Sequence, residues 1–198
     1  MKAKIRVVFL LTVLFLLVIL SGCVAPESPS VTTPTQTETP ISTATELSLK
    51  IGETAKLPEI EVTVISANKT DQILFRCQKA NSTNTEEAKK GEIFVIADVE
   101  IKTIGDKGIR FGFGSLFKIS DSAGFEHSQY YGSPVRYCDD DQLETGDLYP
   151  DHTIKGRILF EVPEEAKGLK IKLDVNGIST PDNEKLPTNV KSVSWKVE

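Results

Sequence analysis

The chain has 198 residues, with 28 Asp and Glu against 23 Lys and Arg, for a formal net charge of −5. That length suggests one domain with extensions. The acidic balance argues against nucleic acid as a partner.

Lys2, Lys4 and Arg6 make a short basic start, and Val7 to Leu20 (VVFLLTVLFLLVIL) is an uncharged apolar run of 14 residues. A lipid-spanning helix needs about 20 residues. The shorter run fits the apolar core of a secretory signal. It ends Leu20-Ser21-Gly22-Cys23, which resembles the lipobox of bacterial and archaeal lipoproteins: an aliphatic residue, two small residues and a cysteine. The resemblance implies that residues 1–22 are a signal peptide and that Cys23 carries a diacylglyceryl group. Cleavage then makes Cys23 the N-terminus. The chain is expected at the cell membrane, lipid-anchored and facing the extracytoplasmic side. Each buried methylene of such an anchor contributes about 0.8 kcal/mol, so two acyl chains hold stably. Removing residues 1–22 leaves 20 Lys and Arg against 28 Asp and Glu, a balance of −8. That excess argues against charge-driven binding to anionic headgroups.

Residues 23–45 form the second segment, the lipidated Cys and a linker. Of residues 24–45, 14 are Ser, Thr or Pro. They show no apolar periodicity and are expected to be a disordered tether. Such a coil averages roughly 25 Å, or about 70 Å as extended polyproline II.

From Glu46 onward the pattern is short alternating runs. EIEVTVIS sets Ile60, Val62 and Val64 on one face. GEIFVIADVEIKTIG does so with Ile93, Val95, Ala97, Val99 and Ile101, TIKGRILFEVP with Ile154, Ile158, Phe160 and Val162, LKIKLDV with Leu169 to Val175, and VKSVSWKVE with Val193, Trp195 and Val197. Period two with one polar face predicts half-buried antiparallel strands. Turn residues interrupt them at ANKTD, IGDKG, DSAG, VPEEAKG and NGIST. NTEEAKKGE is compatible with one helical turn, and no other stretch has a helical period. Seven or eight strands over 46–198 predict an all-β, antiparallel β-sandwich.

The blocks GEIFVIADVEIKTIGDKG, FKISDSAGFEHS and LETGDLYPDHTIKGRILFEVPEEAKGLKIKLDV resemble, in order and spacing, the DUF4352 family of extracytoplasmic lipoprotein domains. The opening IGETAKLPEIEVTVISANKTD fits its first strands. The resemblance implies an immunoglobulin-like fold similar to the mycobacterial secreted antigen MPT63, and no catalytic residues. The family has Pro-Gly-Glu where this chain has Pro150-Asp151-His152.

Cys77 and Cys138 remain after lipidation of Cys23. Outside the cytoplasm two spare cysteines usually pair, so a Cys77–Cys138 disulfide is expected, joining the segment around FRCQKANSTNTEEAKKG to the loop VRYCDDDQLETGD. That loop carries Asp139, Asp140, Asp141, Glu144 and Asp147, with Asp151 beyond. Calcium takes six to eight oxygen ligands, and these acids are a candidate cation site; the other reading is a solvated acidic loop. Tyr130, Tyr131 and Tyr137 are amphipathic rings of the kind enriched at interfaces. They form a candidate binding patch for a protein or glycan, or else cover a sheet edge. No G-x-S-x-G, H-E-x-x-H or Walker loop occurs. His127 and His152 read as solvated loop histidines. No cofactor is implied beyond calcium. The sequons at Asn68 and Asn81 both fall at predicted turns. The sequence therefore points to a non-catalytic, membrane-anchored binding domain, or alternatively to a calcium-binding or structural accessory module of an envelope complex.

Overall fold

The computed structural model describes residues 45–77, 81–111, 116–132, 141–143 and 146–197. The expected signal peptide and all but the last residue of the expected tether lie outside these residues. The strands are β1 (Thr45–Lys50), β2 (Thr54–Lys56), β3 (Ile60–Thr70), β4 (Gln72–Cys77), β5 (Ser82–Glu87), β6 (Glu92–Thr103) and β7 (Ile109–Phe111), followed by β8 (Phe117–Ser120), β9 (Glu126–Ser128), β10 (Gly146–Leu148), β11 (Thr153–Pro163), β12 (Lys170–Asp174), β13 (Ile178–Ser179) and β14 (Val190–Lys196).

Two sheets make the sandwich. One has the order β1-β14-β12-β8-β9 and the other β11-β6-β3-β2. A small sheet, β10-β7-β13, and the hairpin β4-β5 complete it. The long strands are the ones whose apolar residues alternate, because a pleated strand sends every second side chain to the same face. Val62, Val64, Val95, Ala97, Val99, Ile101, Ile158, Phe160 and Val162 from the second sheet share one core with Phe117, Ile119, Ile171, Leu173, Val193 and Trp195 from the first. The Trp195 ring is fully buried. Its indole N–H donates to the Glu53 carbonyl at 2.9 Å, satisfying the one polar atom that burial would otherwise orphan.

The strands outnumber the expected seven or eight because several have only two to four residues. The antiparallel rule also has an exception: β1 runs parallel to β14, from Thr45 opposite Val190 to Lys50 opposite Lys196. A register shift between Val64 and Ser66 in β3 turns Ile65 outward, as a bulge does by inserting one unpaired residue.

The stretch NTEEAKKGE, Asn84–Glu92, does not form a helical turn. Ser82–Glu87 pairs with Gln72–Cys77 as a hairpin, from Gln72 opposite Glu87 to Cys77 opposite Ser82. Asn81 sits at the turn with φ +46°, a left-handed conformation that Asn tolerates better than most residues. The hairpin lies over the outer face of the second sheet. There Ile73 and Phe75 bury Phe94 and Leu159, with Ile96 and Tyr130 packed around them. Thus β6 is covered on both faces at this end. ANKTD is likewise not a turn, since β3 runs through Asn68 to Thr70 and only Asp71 separates it from β4. Cys77 is buried and disulfide-bonded. Cys138 lies outside the described residues.

Candidate functional site

The first sheet ends at β9, and the chain then crosses to the second. Ser128 pairs with Lys118 of β8. One residue later Gln129 bridges Phe160 of β11, and the Tyr130 N–H donates to the Leu159 carbonyl at 2.7 Å. At this seam lies an open recess of about 410 Å³, lined by His127, Ser128, Gln129, Tyr130, Tyr131, Gly132 and Glu161.

Each lining residue is placed by its local structure. His127 sits opposite Ile119, on the core-facing side of β9, while Ser128 falls on the other face opposite Lys118. It is not a solvated loop histidine. Its Nε2 is buried and has no hydrogen-bond partner among the described residues, so Ser128 does not donate to it and no serine–histidine relay forms there. His152 is exposed, and its backbone serves the Thr103 hydroxyl and amide.

Glu161 lies on the outer face of β11, opposite Phe94, with its side chain only 8% exposed. One carboxylate oxygen accepts the Lys89 backbone N–H at 3.0 Å, and the other accepts the Lys89 ammonium. Burial pushes this carboxyl up, but the two Lys89 hydrogen bonds and the lysine charge outweigh it and hold it below its ordinary value.

The two tyrosines differ. The Tyr130 ring packs edge-on against Phe94, its hydroxyl donates to Glu86, and Lys89 Nζ stands 6.0 Å from its centroid. Burial, then the Glu86 carboxylate, raise its pKa above the ordinary phenol value. Gly132 is where the chain must pass close to this ring: a β-carbon there would lie 2.4 Å from the Tyr130 hydroxyl oxygen. Tyr131 is 40% exposed. Its hydroxyl donates to the Gln129 side-chain carbonyl, and partial burial raises its pKa. Tyr130 therefore builds the wall and Tyr131 faces outward. Tyr137 lies outside the described residues.

Of the five candidate cation ligands, Asp139, Asp140 and Glu144 lie outside the described residues. Asp147 is gripped by Arg110, whose Nε and Nη2 donate to its two oxygens at 2.7 and 3.1 Å. Those bonds hold its carboxyl below the usual carboxylate range. Asp141 stands 3.9 Å from the Arg157 guanidinium. Among the described residues no group of three His, Cys, Asp or Glu is arranged to hold a metal ion.

Glu161, Lys89 and Glu86 were not apparent as site residues. Glu161 sits in a strand that reads as ordinary alternation. Lys89 and Glu86 flank a polar stretch with no apolar signal.

The scaffold is an all-β sandwich with an open polar recess at its sheet seam. A family model described as "Domain of unknown function (DUF4352)" matches residues 49–183, and the chain belongs to that family. Among solved structures it is similar to the yjhA protein from Bacillus subtilis, at TM-score 0.57 and 16% identity over 76% of this chain and 99% of that one. It is also similar to MPT63, a secreted protein from Mycobacterium tuberculosis, at TM-score 0.50 and 11% identity over 78% of this chain and 99% of that one. Both likenesses support the sandwich fold. No curated protein matches the chain. No helix among the described residues is long and apolar enough to cross a membrane.

Proposed function

We propose that the chain is a lipoprotein anchored through Cys23, carrying a non-catalytic binding domain that recognises a protein or envelope component on the extracytoplasmic side. The observation that carries the binding reading is the seam recess. It offers an exposed aromatic ring at Tyr131 and a carboxylate fixed by Lys89. Aromatic rings beside fixed polar groups are what interface anchors consist of. The Ser/Thr/Pro-rich tether supplies reach, and a Cys77–Cys138 disulfide supports the hairpin behind the recess.

The test is site-specific photo-crosslinking of the full-length protein in its own cells. A crosslinker at position 131 should capture one discrete envelope component. The same group at Lys69, an exposed residue of β3, should not. Equal capture at both positions, or none at 131, overturns the assignment of the recess.

A further inference from the structure

The outer face of the first sheet carries two sets of directly opposed lysines. In the first, Lys118 of β8 faces Lys172 of β12. In the second, Lys50 of β1 faces Lys196 of β14, which faces Lys170 of β12, so three ammonium side chains stand on three adjacent strands. Like charges directly opposite across strands are destabilising.

The fold treats the two sets differently. Lys118 and Lys172 both donate to Glu126, at 3.0 Å each. The hydrogen bonds from Lys172 and Lys118 keep that carboxylate below its ordinary pKa. Lys50, Lys170 and Lys196 are all exposed, and none is ion-paired among the described residues. Lys167, three residues before Lys170 in the chain, is also exposed. The acids on this face are few. Glu46 and Asp174 oppose Ser192, four residues along each strand from the lysine row. Glu53 accepts the Lys50 backbone N–H at 2.8 Å. A chain with an excess of acids thus leaves this lysine row without an ion pair among the described residues.

We infer that this row docks the domain onto the surface of an anionic lipid bilayer. The inference rests on the Cys23 anchor of the proposed function. The row includes Lys50, the last residue of β1, the edge strand of this sheet that begins at Thr45. Anchoring a domain through a short linker turns its contact with the same bilayer into an intramolecular event, at an effective concentration on the order of millimolar. Each lysine close to an anionic surface adds about a fivefold gain in binding, which decays within a Debye length. The overall acidity of the chain, which argues against such contact, acts weakly at these distances because charges on the opposite face are screened by salt.

The test uses the full-length protein reconstituted on vesicles of phosphatidylcholine alone or with about one third phosphatidylglycerol. A membrane-impermeant amine reagent labels exposed lysines, and peptide mass spectrometry reads each site. At low salt, Lys50, Lys170 and Lys196 should label about fivefold more slowly on the anionic vesicles. Lys69, Lys90 and Lys155 should not change, and high salt should abolish the difference. The Lys50→Gln, Lys170→Gln, Lys196→Gln triple variant should lose salt-sensitive docking while melting no lower than the wild type, since it relieves repulsion. Equal labelling on both vesicles overturns the inference. Protection by a soluble polyphosphate but not by anionic vesicles also overturns it and gives the face to a polyanion. The intact mass of the same sample reports the Cys23 lipid independently. If that lipid is absent, the same comparison with vesicles in excess still decides the docking.

Discussion

The rings of Tyr130 and Phe94 meet edge to face, with centroids 5.1 Å apart and an interplanar angle of 62°. Phe94 is fully buried, on the outer face of β6, and Tyr130 closes one side of its pocket. Tyr130→Ala should cost about 2–4 kcal/mol, from lost burial and from the aromatic pair. Tyr130→Phe keeps the ring and loses only the hydroxyl donated to Glu86, so it should cost less, about 1 kcal/mol. Urea unfolding of the two variants checks the order. Equal losses would mean that the hydroxyl, not the ring, is what holds this wall.

Glu161 gives the fold a defined acid sensitivity. Its carboxyl is held below the ordinary value of 4.5 in the folded state. Above the unfolded value the carboxylate contributes its full stabilisation, and this is lost as pH falls through the folded value. Glu126 and Asp147 shift in the same direction. Stability should therefore fall below about pH 4.5, and the fall should be shallower in Glu161→Gln. Thermal melts from pH 7 to pH 2.5 read this directly. An unchanged slope in the variant would remove Glu161 from the account.

Closing a loop between Cys77 and Cys138 should stabilise the folded state by about 4 kcal/mol in the chain-entropy model. For a domain of this size that corresponds to roughly 10–15 °C in melting temperature. Reduction, Cys77→Ser and Cys138→Ser should each lower the melting point by a similar amount, and reduction should add nothing to either variant. A further drop on reducing Cys138→Ser would show that Cys77 has another partner.

Asp147 separates two readings of the acidic loop. Its two oxygens are occupied by Arg110, so Asp147→Asn should lower the melting point equally in millimolar calcium and in chelator. A calcium-dependent rise in the wild type that disappears in Asp147→Asn would instead make Asp147 a calcium ligand and favour the accessory-module alternative.

The long strands were legible because each is half-buried and alternates cleanly. Ile60, Val62 and Val64 are buried, as are Ile171, Leu173, Val193 and Trp195 on the other side of the core. The second, smaller core was not legible. Phe94, Ile96 and Leu159 occupy the nominally polar face of their strands, and only the hairpin explains them. That hairpin was hidden because Ser82–Glu87 is polar throughout and pairs only with β4, so backbone hydrogen bonding, not side-chain pattern, makes it a strand. The parallel pairing of β1 leaves no local mark, since Leu47 and Leu49 alternate as they would in an antiparallel strand. The recess depends on the chain crossing between sheets at Ser128–Tyr130, a tertiary event that no spacing of tyrosines encodes.

Display of a binding domain from a lipid anchor at Cys23 is decided by the intact mass of the protein purified from its host membrane. The mass should correspond to a chain that begins at Cys23, lacks residues 1–22 and carries a diacylglyceryl group, with Cys23→Ala abolishing both changes. A mature chain that keeps residues 1–22, or that begins at another residue with an unmodified Cys23, would contradict it.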